Sequence, residues 1–229
     1  MTRFRDRSDA GRQLAQALRE HAAPDVVVVG IARGGVPVAY EVAHRLSAPL
    51  DVVVIRKLGL PGQEELAMGA VGPGGTQVRN AHVLHLLHVP EPVIQQVADR
   101  ELREAETRER AYRRGRTPEP LGGRAVILVD DGLATGASMR TAVRAVRALD
   151  PARIVVAVPT GSPATCDMLR EDADEVLCLT STDWFFAVGQ FYEEFPETSD
   201  DEVRELLSRA AHEARDADDG NVTHAPAGR

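Results

Sequence analysis

The segment Val126 to Ser138, Val-Ile-Leu-Val-Asp-Asp-Gly-Leu-Ala-Thr-Gly-Ala-Ser, constrains the fold more than any other stretch of this chain. Its first four residues are an unbroken apolar run, the pattern of a central parallel strand covered on both faces rather than the alternation of a half-exposed one. Asp130 and Asp131 then stand at the carboxyl end of that strand. Gly132, Ala134, Gly136 and Ala137 keep the following turn small enough for backbone N–H groups to approach an anion, while Thr135 and Ser138 add hydroxyl donors. Helix-forming composition from Met139 to Leu149 aims the positive end of a helix dipole at whatever the turn holds. Such a strand, turn and helix offer carboxylates to sugar hydroxyls and a cradle to a phosphate, the two halves of a ribose 5-phosphate site. The alternative, an ordinary βα turn with acids capping the helix, leaves the spacing to accident.

Rival phosphate motifs fail on particular residues. An Asp-x-Asp phosphatase motif is absent because Gly132 stands two after Asp130. Gly30 and Gly35 have the glycine spacing of a P-loop, but Val36 and Pro37 replace its lysine and hydroxyl. Ala32 occupies the second glycine position of the dinucleotide fingerprint.

The thirteen residues resemble the phosphoribosyl diphosphate (PRPP) signature of the type I phosphoribosyltransferases at every position. The resemblance extends over about residues 3 to 207, through Phe4-Arg5-Asp6-Arg7, Arg56-Lys57-Leu58-Gly59, Glu65 to Val71 and Ala187 to Phe195, and is nearest to a bacterial group of predicted phosphoribosyltransferases with unassigned acceptor. It implies an α/β fold of the type I phosphoribosyltransferase kind, a mostly parallel twisted sheet flanked by helices with a small hood. It also implies an enzyme that uses PRPP and Mg2+ to transfer ribose 5-phosphate to a small, nitrogenous acceptor. A non-catalytic PRPP-binding regulator is the alternative.

Residue by residue, the resemblance places the 5-phosphate on Thr135, Gly136, Ala137 and Ser138, with Gly132 and Ala134 in the same turn. The ribose hydroxyls fall to Asp130 and Asp131, which would also hold the metal, directly or through water. The diphosphate loop is Ala32, Arg33, Gly34 and Gly35, following the apolar run Asp25 to Gly30 and preceding a helix that Pro37 suits in its first turn. A tight turn needing glycine for positive φ gives the same sequence; Arg33 speaks for the anion. Arg56 and Lys57 end a further apolar run and would balance the charge of the leaving diphosphate, acting as catalytic residues with the two aspartates. Leu58 to Glu65, with Gly59, Pro61 and Gly62, is expected to be a mobile loop able to close over the site; Glu64 and Glu65 could touch substrate or magnesium.

Six of the nine aromatic residues fall between Trp184 and Phe195. Trp184, Phe185 and Gln190 are therefore candidates for acceptor binding, since aromatic faces stack planar bases. Packing within a hood or a dimer contact is the competing reading.

The 229 residues, 43% apolar, suffice for one domain, expected over 1–213 with hood elements from about 80–120 and 181–199, followed by a disordered tail at 214–229. Strands are expected at 25–30, 51–55, 124–130, 153–158 and 175–179. Helices are expected near 8–20 (capped by Ser8), 36–46, 90–114, 139–149, 163–171 and 200–213. Glu104–Arg108, Glu106–Arg110 and Glu109–Arg113 stand in the favourable i, i+4 order of a solvated helix. That mixture of signs argues against an RNA-binding face. His82, His85 and His88 have helical spacing, but no carboxylate or cysteine completes a metal set and the intervening leucines read as packing.

A net charge of −8 gives no general attraction for nucleic acid or anionic membrane. Cys166 and Cys178 lack Cys-x-x-Cys spacing and read as buried apolar side chains. With no apolar segment near Met1 to Arg7 and none approaching a membrane span, a cytoplasmic location is expected. The acceptor, a homodimeric state and the pathway stay open.

Overall fold

In the computed structural model, which describes residues 3–222, the chain runs α1 (Arg7–Ala17), β1 (Val26–Ile31), α2 (Gly35–Leu46), β2 (Leu50–Val53), β3 (Arg56–Leu60), β4 (Gln63–Val71), β5 (Gln77–Arg79), α3 (Ala81–Leu86), α4 (Glu91–Arg113), β6 (Ala125–Val129), α5 (Ala137–Arg147), β7 (Arg153–Gly161), α6 (Pro163–Leu169), β8 (Glu175–Ser181) and α7 (Asp200–Val222). Five of the strands form a parallel sheet in the order β2-β1-β6-β7-β8. These are the five strands expected from the apolar runs.

The sheet explains why those runs do not alternate. Val28, Ile127 and Val129 pack on one face with side chains of α2 and α7, while Val27, Val29, Val126 and Leu128 pack on the other with those of α5 and α6. Every position of β1 and all but the first of β6 are buried. Each such aliphatic side chain contributes roughly 1.5–3 kcal/mol by leaving water.

Strand order reverses direction at β1. The chain crosses from β1 to β2 on one side, and the strand on the other side, β6, arrives only much later. The connections leaving β1 and β6 therefore diverge and open a crevice at the strands' carboxyl ends, where open α/β sheets bind ligands. Register brings the two loops together, since Gly30 pairs with Val129 at the last rung.

Several expectations need correction. Leu58 to Glu65 is not a loop but the tip of a hairpin. β3 and β4 pair antiparallel around Pro61 and Gly62, the latter at φ +80, and β5 completes a three-stranded antiparallel sheet. Leu58, Met68 and Val71 of this small sheet bury against Ile94, Val97 and Ala98 of α4. The first helix is capped by Asp6, whose carboxylate accepts from the Asp9 N–H at 2.7 Å, and not by Ser8, which lies within its first turn. α7 runs on through Val222, past the boundary placed at 213; residues 223–229 of the expected tail lie outside the described residues.

The three i, i+4 pairs of α4 are all formed, at 2.9, 3.9 and 3.1 Å. α3 ends at Leu86 and His88 follows in a left-handed conformation, so the three histidines do not share a helix. Among the described residues no group of three or more His, Cys, Asp or Glu is placed to hold a metal ion. Both cysteines are free, Cys166 buried and Cys178 partly so. No described helix is long and apolar enough to cross a membrane.

Candidate active site

The crevice brings together the two loops singled out by their sequence. β1 passes straight into Ala32–Arg33, joined by a cis peptide bond, and α2 begins at Gly35. Ala32 N–H is held by Val53 C=O at 2.9 Å. The glycines that follow are required by close approach rather than by a left-handed backbone, since Gly34 has φ −58. A Cβ on Gly34 would run into the Asp131 carboxylate, and one on Gly35 would stand 2.6 Å from Val129 O and 2.8 Å from Asp130 Cα. The missing side chains let the loop lie directly on the acids. At this start of α2 the Val36 N–H donates to Arg33 C=O at 3.1 Å, so the N–H groups suited to an anion are those that precede it in the loop.

Asp130 and Asp131 are partly exposed at the end of β6. Asp130 Oδ1 accepts from Asp131 N–H at 2.9 Å. Asp131 Oδ2 accepts from Arg7 Nε at 2.8 Å, and the Asp131 carbonyl accepts from the Tyr192 hydroxyl at 2.6 Å. Burial, followed by the neighbouring Asp131, pushes Asp130 well above the ordinary aspartate range. Burial raises Asp131 as well, with the Arg7 charge pulling the other way. Burial also raises the Tyr192 phenol, which stays a donor.

The turn after the acids is anchored on its outer side. Leu133 N–H donates to Thr160 C=O at 2.8 Å, and Thr165 Oγ1 donates to Ala134 C=O at 3.1 Å. Gly136 lies at φ +71 as the residue before α5, and a Cβ there would meet Thr165 Cγ2 at 2.7 Å. Thr135, Ala137 and Ser138 therefore sit around the N-terminus of α5. A Cβ on Gly132 would strike Val188 Cγ1 at 2.7 Å, so this turn also touches the segment expected to form part of the hood.

The cations are placed differently from expectation. Arg33 reaches away from β1 to Glu197, with Asp200 at 3.7 Å. Arg56 and Lys57 do not end β2, which stops at Val53; they open the small sheet. There Arg56 pairs with Glu101 of α4 at 2.8 Å, and Lys57 with Glu65 across the hairpin at 3.2 Å.

In the aromatic segment, Trp184 and Phe186 are 76% and 84% exposed, whereas Phe191 and Tyr192 are buried. Phe185 stacks on Phe191 with centroids 5.2 Å apart. The Gln190 amide is occupied by its own loop, accepting from Phe186 and Ala187 N–H and donating to Trp184 C=O at 2.8 Å. The segment thus divides into a packed half and an open half, with Trp184 in the open one.

Arg7 and Glu197 enter the site without having been singled out for it, and Tyr192 and Phe195 only as two of several aromatics. Their signal is weak because each lies far in sequence from the motif it touches. The aromatic bias of 184–195 pointed toward Tyr192 and Phe195 alone.

Comparison with known proteins gives the family. The Phosphoribosyl transferase domain family matches residues 5–196. A Mycobacterium tuberculosis protein, named provisionally as a phosphoribosyl transferase in strains H37Rv and CDC 1551 / Oshkosh, is 48% identical over 217 residues, which cover 95% of this chain and 49% of that protein. The chain thus spans about half the length of the curated relatives it matches. The crystal structure of TT1426 from Thermus thermophilus is similar at a TM-score of 0.78 and 44% identity, covering 91% of this chain and 99% of that one.

Proposed function

The chain belongs to the phosphoribosyltransferase family, and from that premise we propose that it binds PRPP with Mg2+ and transfers ribose 5-phosphate to a planar nitrogenous acceptor, releasing diphosphate. One observation carries the reading: the Ala32–Gly35 loop lies against Asp130 and Asp131, and the Gly132–Ser138 turn leads from those acids into α5. A diphosphate, a ribose and a 5-phosphate fit this sequence of an amide-lined loop, two carboxylates and a helix N-terminus.

The donor set suits magnesium. Two adjacent carboxylates, with no third His, Cys, Asp or Glu placed beside them among the described residues, match an ion that is usually held by one or two carboxylates plus substrate phosphate oxygens. Asp130 and Asp131 would hold it, and when bound it supplies charge neutralisation for the departing diphosphate. The loop from Ala32 to Gly35 holds the diphosphate through the backbone N–H groups that follow Ala32, whose own N–H is bonded to Val53 C=O, and Asp130 and Asp131 hold the ribose hydroxyls. The C1–oxygen bond to diphosphate breaks with its electron pair leaving on the diphosphate oxygen, positive charge develops at C1, and an acceptor nitrogen bonds to C1 from the opposite face and gives up its proton to solvent. Lys57 joins the leaving group by exchanging Glu65 for a diphosphate oxygen. This exchange costs little, because Glu65 is fully solvated and exposed pairs contribute about 0–1 kcal/mol. Trp184 offers an exposed face for stacking the acceptor, with Phe185 and Gln190 holding its loop in shape.

A second reading, a PRPP-binding regulator without turnover, draws on the carboxylate partners of Arg33, Arg56 and Lys57, which quench the cations a leaving diphosphate would use. Diphosphate release measured with PRPP, Mg2+ and a panel of purines, pyrimidines and other nitrogen heterocycles separates the two. Release stimulated by one acceptor supports transfer; tight PRPP binding with no release under any acceptor supports the regulator; absence of PRPP binding overturns both.

A further inference from the structure

Arg7, the first residue of α1, sits deeper in the crevice than the cations of the recognised motifs, with a side chain 11% exposed. Its Nε donates to Asp131 Oδ2 at 2.8 Å and its Nη1 to Pro196 C=O at 2.5 Å. The guanidinium carbon lies 3.8 Å from the centroid of the Phe195 ring. Nη2 comes within 3.4 Å of where a Cβ on Gly34 would stand, so the guanidinium also closes the space beside the diphosphate loop. Burying a guanidinium is costly unless its charge is used. It is not needed merely to fasten the amino-terminal segment, which the backbone already fastens: Phe4 N–H bonds Phe191 C=O at 2.8 Å, and Glu193 and Glu194 N–H bond Phe4 and Arg5 C=O, both at 2.9 Å. The charge is spent on Asp131.

We propose that Arg7 is a positioning residue of the sugar site, one that occupies Oδ2 of Asp131 and so fixes the plane of the carboxylate with Oδ1 turned to a ribose hydroxyl. Through Phe195 and Pro196 the same guanidinium ties that orientation to the segment where the acceptor would bind. The inference rests on the reading of Asp130 and Asp131 as the ribose-binding acids. It assigns the Phe4-Arg5-Asp6-Arg7 run a part in ligand recognition, with Asp6 capping α1 so that the next residue points into the crevice.

The test is calorimetric binding of ribose 5-phosphate and its 2-deoxy and 3-deoxy analogues to the full chain and to Arg7→Gln, Arg7→Lys and Asp131→Asn. The chain should prefer ribose 5-phosphate over one deoxy analogue by about tenfold or more, as a site built to bond a hydroxyl does. Arg7→Gln should cut that ratio severalfold while leaving affinity for the deoxy analogue unchanged, and Arg7→Lys should give an intermediate ratio. A merely structural arginine would weaken all three ligands together, or lower the melting temperature, with the ratio intact, and that result overturns the inference. If Arg7→Gln does not fold, Arg7→Lys decides by the same ratio, because lysine keeps the charge but loses the planar fork. A parent chain without preference for the hydroxyl, or an Asp131→Asn variant that keeps the preference, overturns the ribose-site reading itself and the inference with it.

Discussion

The carboxyl edge of the parallel sheet and the outer segments above it are built under opposite constraints. At the edge there is no room: Gly34 and Gly35 cannot carry a Cβ, Gly136 needs both its conformation and its missing side chain, and the two acids are packed against neighbours. In the outer segments the opposite holds. Trp184 and Phe186 stand largely in solvent, Glu65 is fully exposed, and the β3–β4 hairpin has register shifts at Gly59. The part of the reaction that every PRPP enzyme shares would lie in the constrained region, and the part that selects an acceptor in the permissive one. Function-bearing variation collects where packing tolerates change.

The contrast is tested most severely at the acids. Asp130→Asn with Asp131→Asn should lower PRPP-dependent diphosphate release by about 10³-fold or more, an effect of the size seen when preorganised electrostatic groups are removed. The fold should survive at reduced stability, because Asp131→Asn leaves the buried Arg7 guanidinium without its charged partner. Because the Asp130 carboxyl is raised above its ordinary range by burial, its ionisation in the folded state opposes stability as pH rises from about 4. Asp130→Asn should therefore melt higher than the parent at pH 7, and the advantage should shrink toward pH 4. Calorimetric melting at the two pH values checks this; a lower melting temperature at pH 7 would make Asp130 a structural residue.

The phosphate turn comes next. Gly136→Val is a poor probe, since the φ of +71 and the approach of Thr165 would damage the fold before any ligand was tested. Thr135→Val is cleaner because Thr135 is exposed. It should cost about 1.5–3 kcal/mol of binding to PRPP and ribose 5-phosphate alike, the range for a hydrogen bond to a charged group. Equal affinities would move the 5-phosphate elsewhere.

In the permissive region, Trp184→Ala should weaken acceptor binding by roughly 1–3 kcal/mol while leaving PRPP affinity and melting temperature near those of the parent. As the only tryptophan, Trp184 reports the event itself: an acceptor added after PRPP should quench its emission. Loss of stability in the variant, with acceptor affinity intact, would place the residue among packing contacts. The smallest effect belongs to Glu65→Gln, which should change stability by less than about 1 kcal/mol in thermal melts and leave the β3–β4 hairpin in place.

Sequence was most legible where one residue type could do only one thing. Apolar runs without alternation predict strands buried on both faces, and the acid pair followed by small residues predicts the crevice they line. The small sheet was less legible because β4 buries little over its first half and so lacks a period of two, while Gly59, Pro61 and Gly62 resemble a loop. Pro61-Gly62 was nonetheless a turn signal, with proline and glycine between the paired residues Leu60 and Gln63. The long-range ion-pair partners were illegible for a different reason: Glu101 beside Arg56, Glu197 beside Arg33 and Arg7 beside Asp131 reach their positions by tertiary packing, and no local spacing encodes it.

The ion pair between Arg7 and Asp131 spans 124 residues of chain, and that between Arg33 and Glu197 spans 164. Contacts so distant in sequence are slow to form, because the entropy of closing a long loop is lost before the contact rewards it. The pairing of β1 with β6 closes a loop of the same scale, Val26 standing opposite Ala125, so the β1–α2–β2 unit and the β6–β8 unit can each form from neighbouring segments while the crevice between them is still incomplete. In a refolding experiment, secondary structure should return ahead of affinity for ribose 5-phosphate, and ligand binding would serve as a clock for the last step of folding.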